Sequence, residues 1–254
     1  MISDCVIINH SKKFIFIKTP KTGGTSVEFY LSQYCKEKDT ITPLLKNEEK
    51  QKKKLKLPIK QNYKFKKISL SSRLIKKFKF SKEIYLTDHT GINFLIKNIR
   101  INFNKYYIFT FVRNPYYWME SFFWWLLYYD NILTINKINN LSKIEINILF
   151  KYFLRKECSF WFKFIKDMIY NKNYKVHIYK YENIEKSISN IKNIFMLKNE
   201  KYKFNSINLK KLSINKKIKL KLKIDSEDAE IIKKEAKFFF EKFNYSKQIP
   251  KKFL

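Results

Sequence analysis

The sequence predicts an α/β fold, a three-layer sandwich with a central parallel sheet. Short apolar segments alternate with segments of helical spacing along the 254 residues, a pattern typical of βαβ units. The segment 106–112 is continuously apolar, as expected for a strand that is buried on both faces of a parallel sheet. The length predicts a single domain over 1–254 that is large enough to bury a sizeable core.

The first predicted unit is a strand, a glycine loop and a helix. The strand over 14–17 is followed by a tight loop that contains the adjacent glycines Gly23 and Gly24. Thr25 or Ser26 can cap the helix that follows. The helix itself is predicted from apolar residues at helical spacing: Val27, Tyr30, Leu31 and Tyr34.

The remaining elements continue the same alternation. Strands are predicted over 84–87, 106–112 and 176–179. Helices are predicted over 92–99, 118–130, 142–171 and 226–243, the last of them capped by Ser226. The aromatic run 122–129 favours core packing by a buried helix over a membrane-binding or glycan-binding surface.

One segment departs from this alternation. Residues 46–82 are dense in lysine and only weakly periodic. We interpret them as an insertion in the domain, either a solvated excursion or a basic surface that faces the substrate.

The net charge of +32, from 54 Lys and Arg against 22 Asp and Glu, by itself indicates a binder of nucleic acid or of an anionic surface. Only four of these cations are arginine, however, and the chain has three glycines and two alanines. The abundant residues Lys, Ile, Asn, Phe and Tyr all have AT-rich codons. Codon bias therefore explains much of the charge, and the rare glycines and arginines carry more information.

Several classes of protein are not expected. Cys5, Cys35 and Cys158 form no CxxC pair, which argues against a disulfide framework or a zinc ribbon. The most apolar run is much shorter than the roughly 20 residues of a spanning helix. The first residues do not have the pattern of a signal peptide, so we expect a reducing, cytoplasmic location.

The segment 18–26, KTPKTGGTS, has the composition of an anion-binding loop. N–H groups at the start of a helix have no intrahelical partner and attract anions, and glycines let the backbone approach a phosphate closely. Lys21 adds a positive charge. The alternative is a tight turn beside a surface lysine. Lys21 precedes both glycines, whereas the nucleotide-triphosphatase loop has its lysine after the second glycine.

The string PKTGGTS resembles the 5′-phosphosulfate loop of sulfotransferases that use 3′-phosphoadenosine 5′-phosphosulfate (PAPS), most closely the carbohydrate-type enzymes. Arg113-Asn114-Pro115, at the end of the strand 106–112, resembles the family's second motif. In that motif an arginine and a serine eight residues later hold the 3′-phosphate of PAPS, which corresponds to Arg113 and Ser121. The chain has Trp118 where the family often has a further arginine.

The resemblance implies a P-loop NTPase-like version of the α/β fold and transfer of a sulfuryl group from PAPS to an acceptor hydroxyl, on a carbohydrate or glycan. It implies no metal. Lys21 would stabilise the leaving group, and His89, in a segment that resembles a histidine motif of bacterial members, would act as general base. The residues implied to bind PAPS are Lys21, Thr22, Gly23, Gly24, Thr25, Ser26, Arg113 and Ser121.

The sequence is also compatible with two other functions. One is a P-loop kinase for a small molecule, in which Asp88 would anchor magnesium. The other is a non-enzymatic basic protein that binds nucleic acid. His89 could also shape the pocket or bind substrate rather than take a proton. Tyr181-Glu182 resembles a further family motif, and we expect it to be structural.

Overall fold

The computed structural model describes residues 6–68, 81–86, 90–129, 133–207 and 216–254. In this part of the chain, five strands form a mixed sheet in the order β3-β1-β2-β6-β7, and β4 and β5 form a separate antiparallel pair. Strands and helices alternate along the chain, so the predicted α/β class is confirmed. The strands are β1 (Val6–Asn9), β2 (Phe14–Ile17), β3 (Thr40–Ile41), β4 (Lys64–Ile68), β5 (Ser81–Tyr85), β6 (Tyr107–Val112) and β7 (Val176–Lys180).

Helices cover both faces of the sheet. In chain order the described helices are α1 (Gly24–Ser32), α2 (Lys46–Lys54), α3 (Ile92–Asn98), α4 (Pro115–Tyr129), α5 (Ile135–Asn140), α6 (Lys143–Ile169), α7 (Ile184–Ile194), α8 (Lys216–Leu220), α9 (Ser226–Glu235) and α10 (Lys237–Lys242).

Successive side chains of the buried strands enter two different cores. Ile15 and Ile17 of β2 pack in one core with α3, α4, α6 and α9. Phe14 and Phe16 of the same strand pack in the other core with α1 and α7. Because strand side chains alternate between faces, a continuously apolar strand such as β2 needs a helical layer on each side. The sheet is therefore the middle of three layers.

The parallel part of the sheet is smaller than predicted. Strands β2, β6 and β7 are parallel, with Ile17 opposite Thr110 and Val112 opposite Lys180. Strand β1, which the sequence analysis did not predict, is antiparallel to β2 and β3. The predicted central parallel sheet is confirmed for β2, β6 and β7, and the sheet as a whole is mixed because the short turn 10–13 can join only antiparallel neighbours. The carboxyl ends of β2, β6 and β7 lie at one common edge.

Two predicted elements have different bounds or partners. The strand predicted over 84–87 is β5, which pairs with β4 outside the main sheet. The helix predicted over 226–243 is divided at Ala236 into α9 and α10, and Asp225 rather than Ser226 caps it by accepting a hydrogen bond from the backbone of Asp228. An aspartate is as good an N-cap as a serine, so the sequence does not separate the two candidates.

The long helices agree with the predictions. Helix α4 begins at Pro115, a favourable first residue because it has no N–H to satisfy, and the side chain of Asn114 accepts from the backbone of Tyr116 at 3.0 Å. Phe122 to Trp125 are buried, so core packing of the aromatic run is confirmed for these four residues. Helix α6 begins with a reciprocal capping box between Ser142 and Glu145.

The lysine-rich segment 46–82 is described over 46–68 and 81–82. It contains α2, and the side chains of Glu48 and Lys52 in this helix are buried. The interpretation as a solvated excursion is therefore wrong for one face of α2. The buried positions of this helix could not be recognised in the sequence because they are charged residues in a lysine-rich segment. None of the helices in the described part of the chain combines the length and the apolarity needed to span a bilayer.

Phe109 in β6 is the centre of the core on the α1 and α7 side, where its ring contacts those of Phe14, Phe16, Tyr179 and Phe195. We expect Phe109→Leu to lower the free energy of unfolding by about 1–2 kcal/mol, because the smaller side chain leaves part of this site unfilled. Urea denaturation measures the loss. Ile144→Ala is the control, since Ile144 is 73% exposed and should change stability by about 0.5 kcal/mol or less. Equal losses in the two variants would contradict the assignment of this core.

Candidate functional site

The loop between β2 and α1 has a backbone in which the sign of φ alternates. Lys21 and Gly23 are left-handed, with φ of 61° and 70°, whereas Thr22 and Gly24 between and after them have negative φ. Such alternation turns successive N–H groups toward one concave surface. Gly23 is the N-cap of α1 and has no side chain with which to cap it, an end of the kind that binds anions through its first N–H groups.

Both adjacent glycines are required by their surroundings. A Cβ on Gly23 would lie 2.8 Å from Cε2 of Tyr181, and Gly23 is also in the left-handed region that disfavours other residues. A Cβ on Gly24 would overlap Cγ of Lys18. The glycines thus let two side chains pack directly against the loop.

The hydroxyl side chains of the loop differ in their burial and in their hydrogen bonds. Thr22 is buried and donates to the carbonyl of Thr19 at 2.9 Å, and the buried Thr25 donates to Oε1 of Glu48 at 3.5 Å. Both hydroxyls are turned into the protein, so these residues would meet a ligand through their backbone N–H groups. Ser26 is half-buried and is the loop hydroxyl with the greatest exposure of the three.

Lys21 connects the loop to α4. Its Nζ lies over the ring of Trp125, 5.5 Å from the centroid, and the residue is half-buried. A cation above an aromatic face is held by the ring quadrupole while it stays within reach of solvent. This position brings the lysine of the loop to the helix that follows β6.

Arg113 joins the two motifs in space. It follows β6, the parallel neighbour of β2, and its Nη1 donates to the carbonyl of Lys21 at 3.4 Å. Its guanidinium also lies 4.8 Å from the centroid of the Tyr181 ring. Because the same ring packs against Gly23, Tyr181 lies between the glycine loop and the arginine.

Glu182 fixes the backbone next to Arg113. Its Oε1 accepts from the N–H of Asn114 at 2.7 Å, and its Oε2 accepts from the hydroxyl of Tyr245 at 3.0 Å. Burial and the charge of Glu182 raise the pKa of Tyr245, which therefore stays protonated as a donor. These contacts agree with the structural role predicted for Tyr181-Glu182.

Ser121 lies in α4 between Trp118, whose Nε1 donates to the carbonyl of Pro20 at 2.7 Å, and Trp125, whose ring faces Nζ of Lys21. It is half-buried in α4, six residues after Pro115, which corresponds to a rise of about 9 Å along the helix. The structure thus brings Arg113 into contact with the loop, and Ser121 belongs to the segment of α4 that contacts the same loop.

Two lysines from the C-terminal part of the chain lie near α4. Lys252 forms an ion pair with Glu120, the neighbour of Ser121 in α4. Burial lowers the pKa of Lys219; Glu120 opposes this shift, and the positive charges of Lys252 and Arg113 add to it. The sequence could not single out Lys219 and Lys252 among so many lysines.

The predicted general base His89 and the neighbouring Asp88 lie outside the described residues. Among the residues that are described, no group of three or more His, Cys, Asp or Glu side chains is placed to hold a metal ion. No family model, curated protein or solved structure matches the chain.

Gly24 gives a direct test of the loop packing. We expect Gly24→Ala to lower the free energy of unfolding by about 1–3 kcal/mol, because the new methyl group would overlap the buried stem of Lys18. This cost exceeds the gain of up to about 1 kcal/mol from the better helix propensity of alanine.

The matched comparison is the same substitution in a Lys18→Ala background, with stability measured by urea denaturation. Truncation of Lys18 removes the overlap, so the cost of Gly24→Ala should fall there. Strictly additive losses would show that Lys18 is not what excludes a Cβ at position 24.

Proposed function

We propose that the protein is a sulfotransferase that moves a sulfuryl group from PAPS to an acceptor hydroxyl, with carbohydrates as the expected acceptors, on a P-loop NTPase-like fold. One observation carries the proposal: the glycine loop after β2 and Arg113 after β6 meet at one sheet edge, where Arg113 donates to the carbonyl of Lys21. Two anion-binding elements in contact suit a ligand that is phosphorylated at two positions.

The residues present fit such a ligand. The N–H groups of Thr22 to Ser26 would bind the 5′ end, since they lie at an uncapped helix N-terminus with alternating backbone handedness. Arg113 offers a planar fork to the 3′-phosphate, and Ser121 is its proposed partner along α4. Lys219 adds positive charge on the Arg113 side, where Lys252 neutralises Glu120.

Sulfuryl transfer requires the protein mainly to position the two reactants and to stabilise the charge that develops on the leaving group. PAPS supplies the activated sulfuryl group: the acceptor oxygen forms a bond to sulfur as the bond between sulfur and the phosphate oxygen breaks. Lys21 is proposed to stabilise the negative charge on that phosphate oxygen. His89 is proposed to take the proton of the acceptor hydroxyl.

Arg113→Ala tests the nucleotide site. We expect it to weaken the affinity for 3′,5′-phosphoadenosine about 10- to 100-fold, because a charge-assisted hydrogen bond to phosphate is lost. Affinity for adenosine 5′-phosphate, which has no 3′-phosphate, should change little. Isothermal titration calorimetry measures both, and Arg155→Ala is the control because Arg155 is exposed on α6 and paired with Glu227.

Three results would contradict the proposal. In one, ATP with magnesium binds more tightly than 3′,5′-phosphoadenosine, as a kinase requires. In another, Arg113→Ala weakens both adenosine nucleotides equally. In the third, the chain binds nucleic acid with a steep salt dependence that is insensitive to changes at Gly23 and Gly24.

His89→Ala tests the general base. We expect the rate of labelled-sulfate transfer to fall about 10²- to 10⁴-fold while the affinity for 3′,5′-phosphoadenosine is unchanged, because a general base acts on the acceptor. The assay is run over glycans, lipids and small alcohols to find the acceptor class. An unchanged rate with the best acceptor would remove the base role from His89.

A further inference from the structure

A buried network of ion pairs joins the start of the glycine loop to α1 and α2. The side chain of Glu28 in α1 is fully buried, Oε1 of its carboxylate lies 2.8 Å from Nζ of Lys52, and Oε2 lies 3.4 Å from Nζ of Lys18. Lys52 is 0% exposed and Lys18 is 4% exposed. Lysine is almost never buried to this degree unless it is paired, so the three groups depend on one another.

The network connects the loop to the lysine-rich segment. Lys18 follows β2, its stem packs under Gly24, and its ammonium reaches Glu28 one helical turn later in α1. Lys52 reaches the same carboxylate from α2 and lies over the ring of Phe29. The first turn of α1 is thus held from one side by Lys18 and from the other by α2.

A second contact joins the same faces of the two helices. Glu48 lies one turn before Lys52 in α2, and its Oε1 accepts from the hydroxyl of Thr25, three residues before Glu28 in α1. Positions separated by three or four residues share one helix face. Helix α2 therefore contacts α1 along the turn whose N–H groups form the candidate anion site.

We infer that Lys52 is a positioning residue for the anion-binding loop: through Glu28 it fixes the first turn of α1, and with Lys18 it sets where the N–H groups of the loop point. The inference rests on the proposed function for the identity of the ligand. It assigns to α2 a role in nucleotide binding, which its lysine-rich sequence does not indicate.

The test compares Lys52→Met with Lys53→Met. Both substitutions remove one positive charge from α2, but Lys53 is exposed. For Lys52→Met we expect about tenfold weaker binding of 3′,5′-phosphoadenosine, since small displacements of positioned groups are costly. Binding of adenosine 3′-phosphate should stay unchanged, because it has no 5′-phosphate for the loop. Lys53→Met should match the wild type with both ligands.

One further variant and one control measurement separate positioning from general destabilisation. Lys52→Arg keeps the charge and the reach to Glu28, so it should restore binding to near the wild-type value. Lys52→Met leaves Glu28 beside Nζ of Lys18, so the buried carboxylate keeps a cationic partner and the variant should fold, which urea denaturation checks.

Hydrogen exchange measured by mass spectrometry gives a readout without ligand. Peptides that cover the loop 18–26 should exchange faster in Lys52→Met than in Lys53→Met, and peptides that cover β6 should not differ. If wild-type protein does not bind 3′,5′-phosphoadenosine, the proposed function fails, and the exchange result alone decides the inference. Equal exchange in the two variants, or equal weakening of both adenosine nucleotides in Lys52→Met, would overturn it.

Discussion

The parallel pairing of β2 with β6 is the constraint on which the candidate site depends. Parallel neighbours end at the same edge of a sheet, so the register that sets Ile17 opposite Thr110 also sets the loop after β2 beside the loop after β6. The hydrogen bond from Arg113 to the carbonyl of Lys21 follows from this register. In an antiparallel pair, the two loops would lie at opposite edges and could not bind one ligand.

A strand or helix could be predicted from the sequence where its buried positions are occupied by apolar residues. Strands β2 and β6 are short, apolar and followed by a basic residue, so their bounds could be predicted closely. Strand β3 has two residues and is defined by pairing with the distant β1 rather than by its own pattern, whereas β1 is a buried apolar run of four residues that the prediction missed. Helix α2 was missed because its buried positions, Glu48 and Lys52, are charged residues that normally indicate exposure.

The candidate site was predicted in its main components but not in its contacts. The glycine loop and Arg113 could be identified in the sequence because glycine and arginine are rare in this lysine-rich chain. It could not show that Tyr181 lies between Gly23 and Arg113, because this contact joins segments about 70 and 160 residues apart in the chain. Nor could it show that the hydroxyls of Thr22 and Thr25 turn into the protein. Side-chain direction depends on packing that sequence spacing does not contain.

The lysines that make up the large positive charge lie in two different environments. Lys52 and Lys53 are adjacent and chemically identical, yet one is buried against Glu28 and the other is exposed. An exposed lysine attracts any anion, with an energy that is screened by salt and an orientation that is not fixed. Recognition of one nucleotide among many polyanions requires donors at fixed positions, and fixed positions require buried, paired contacts such as the network around Glu28. If the site binds a nucleotide as proposed, its selectivity depends on the few charges that the fold removes from water, and the many that remain exposed contribute a general attraction.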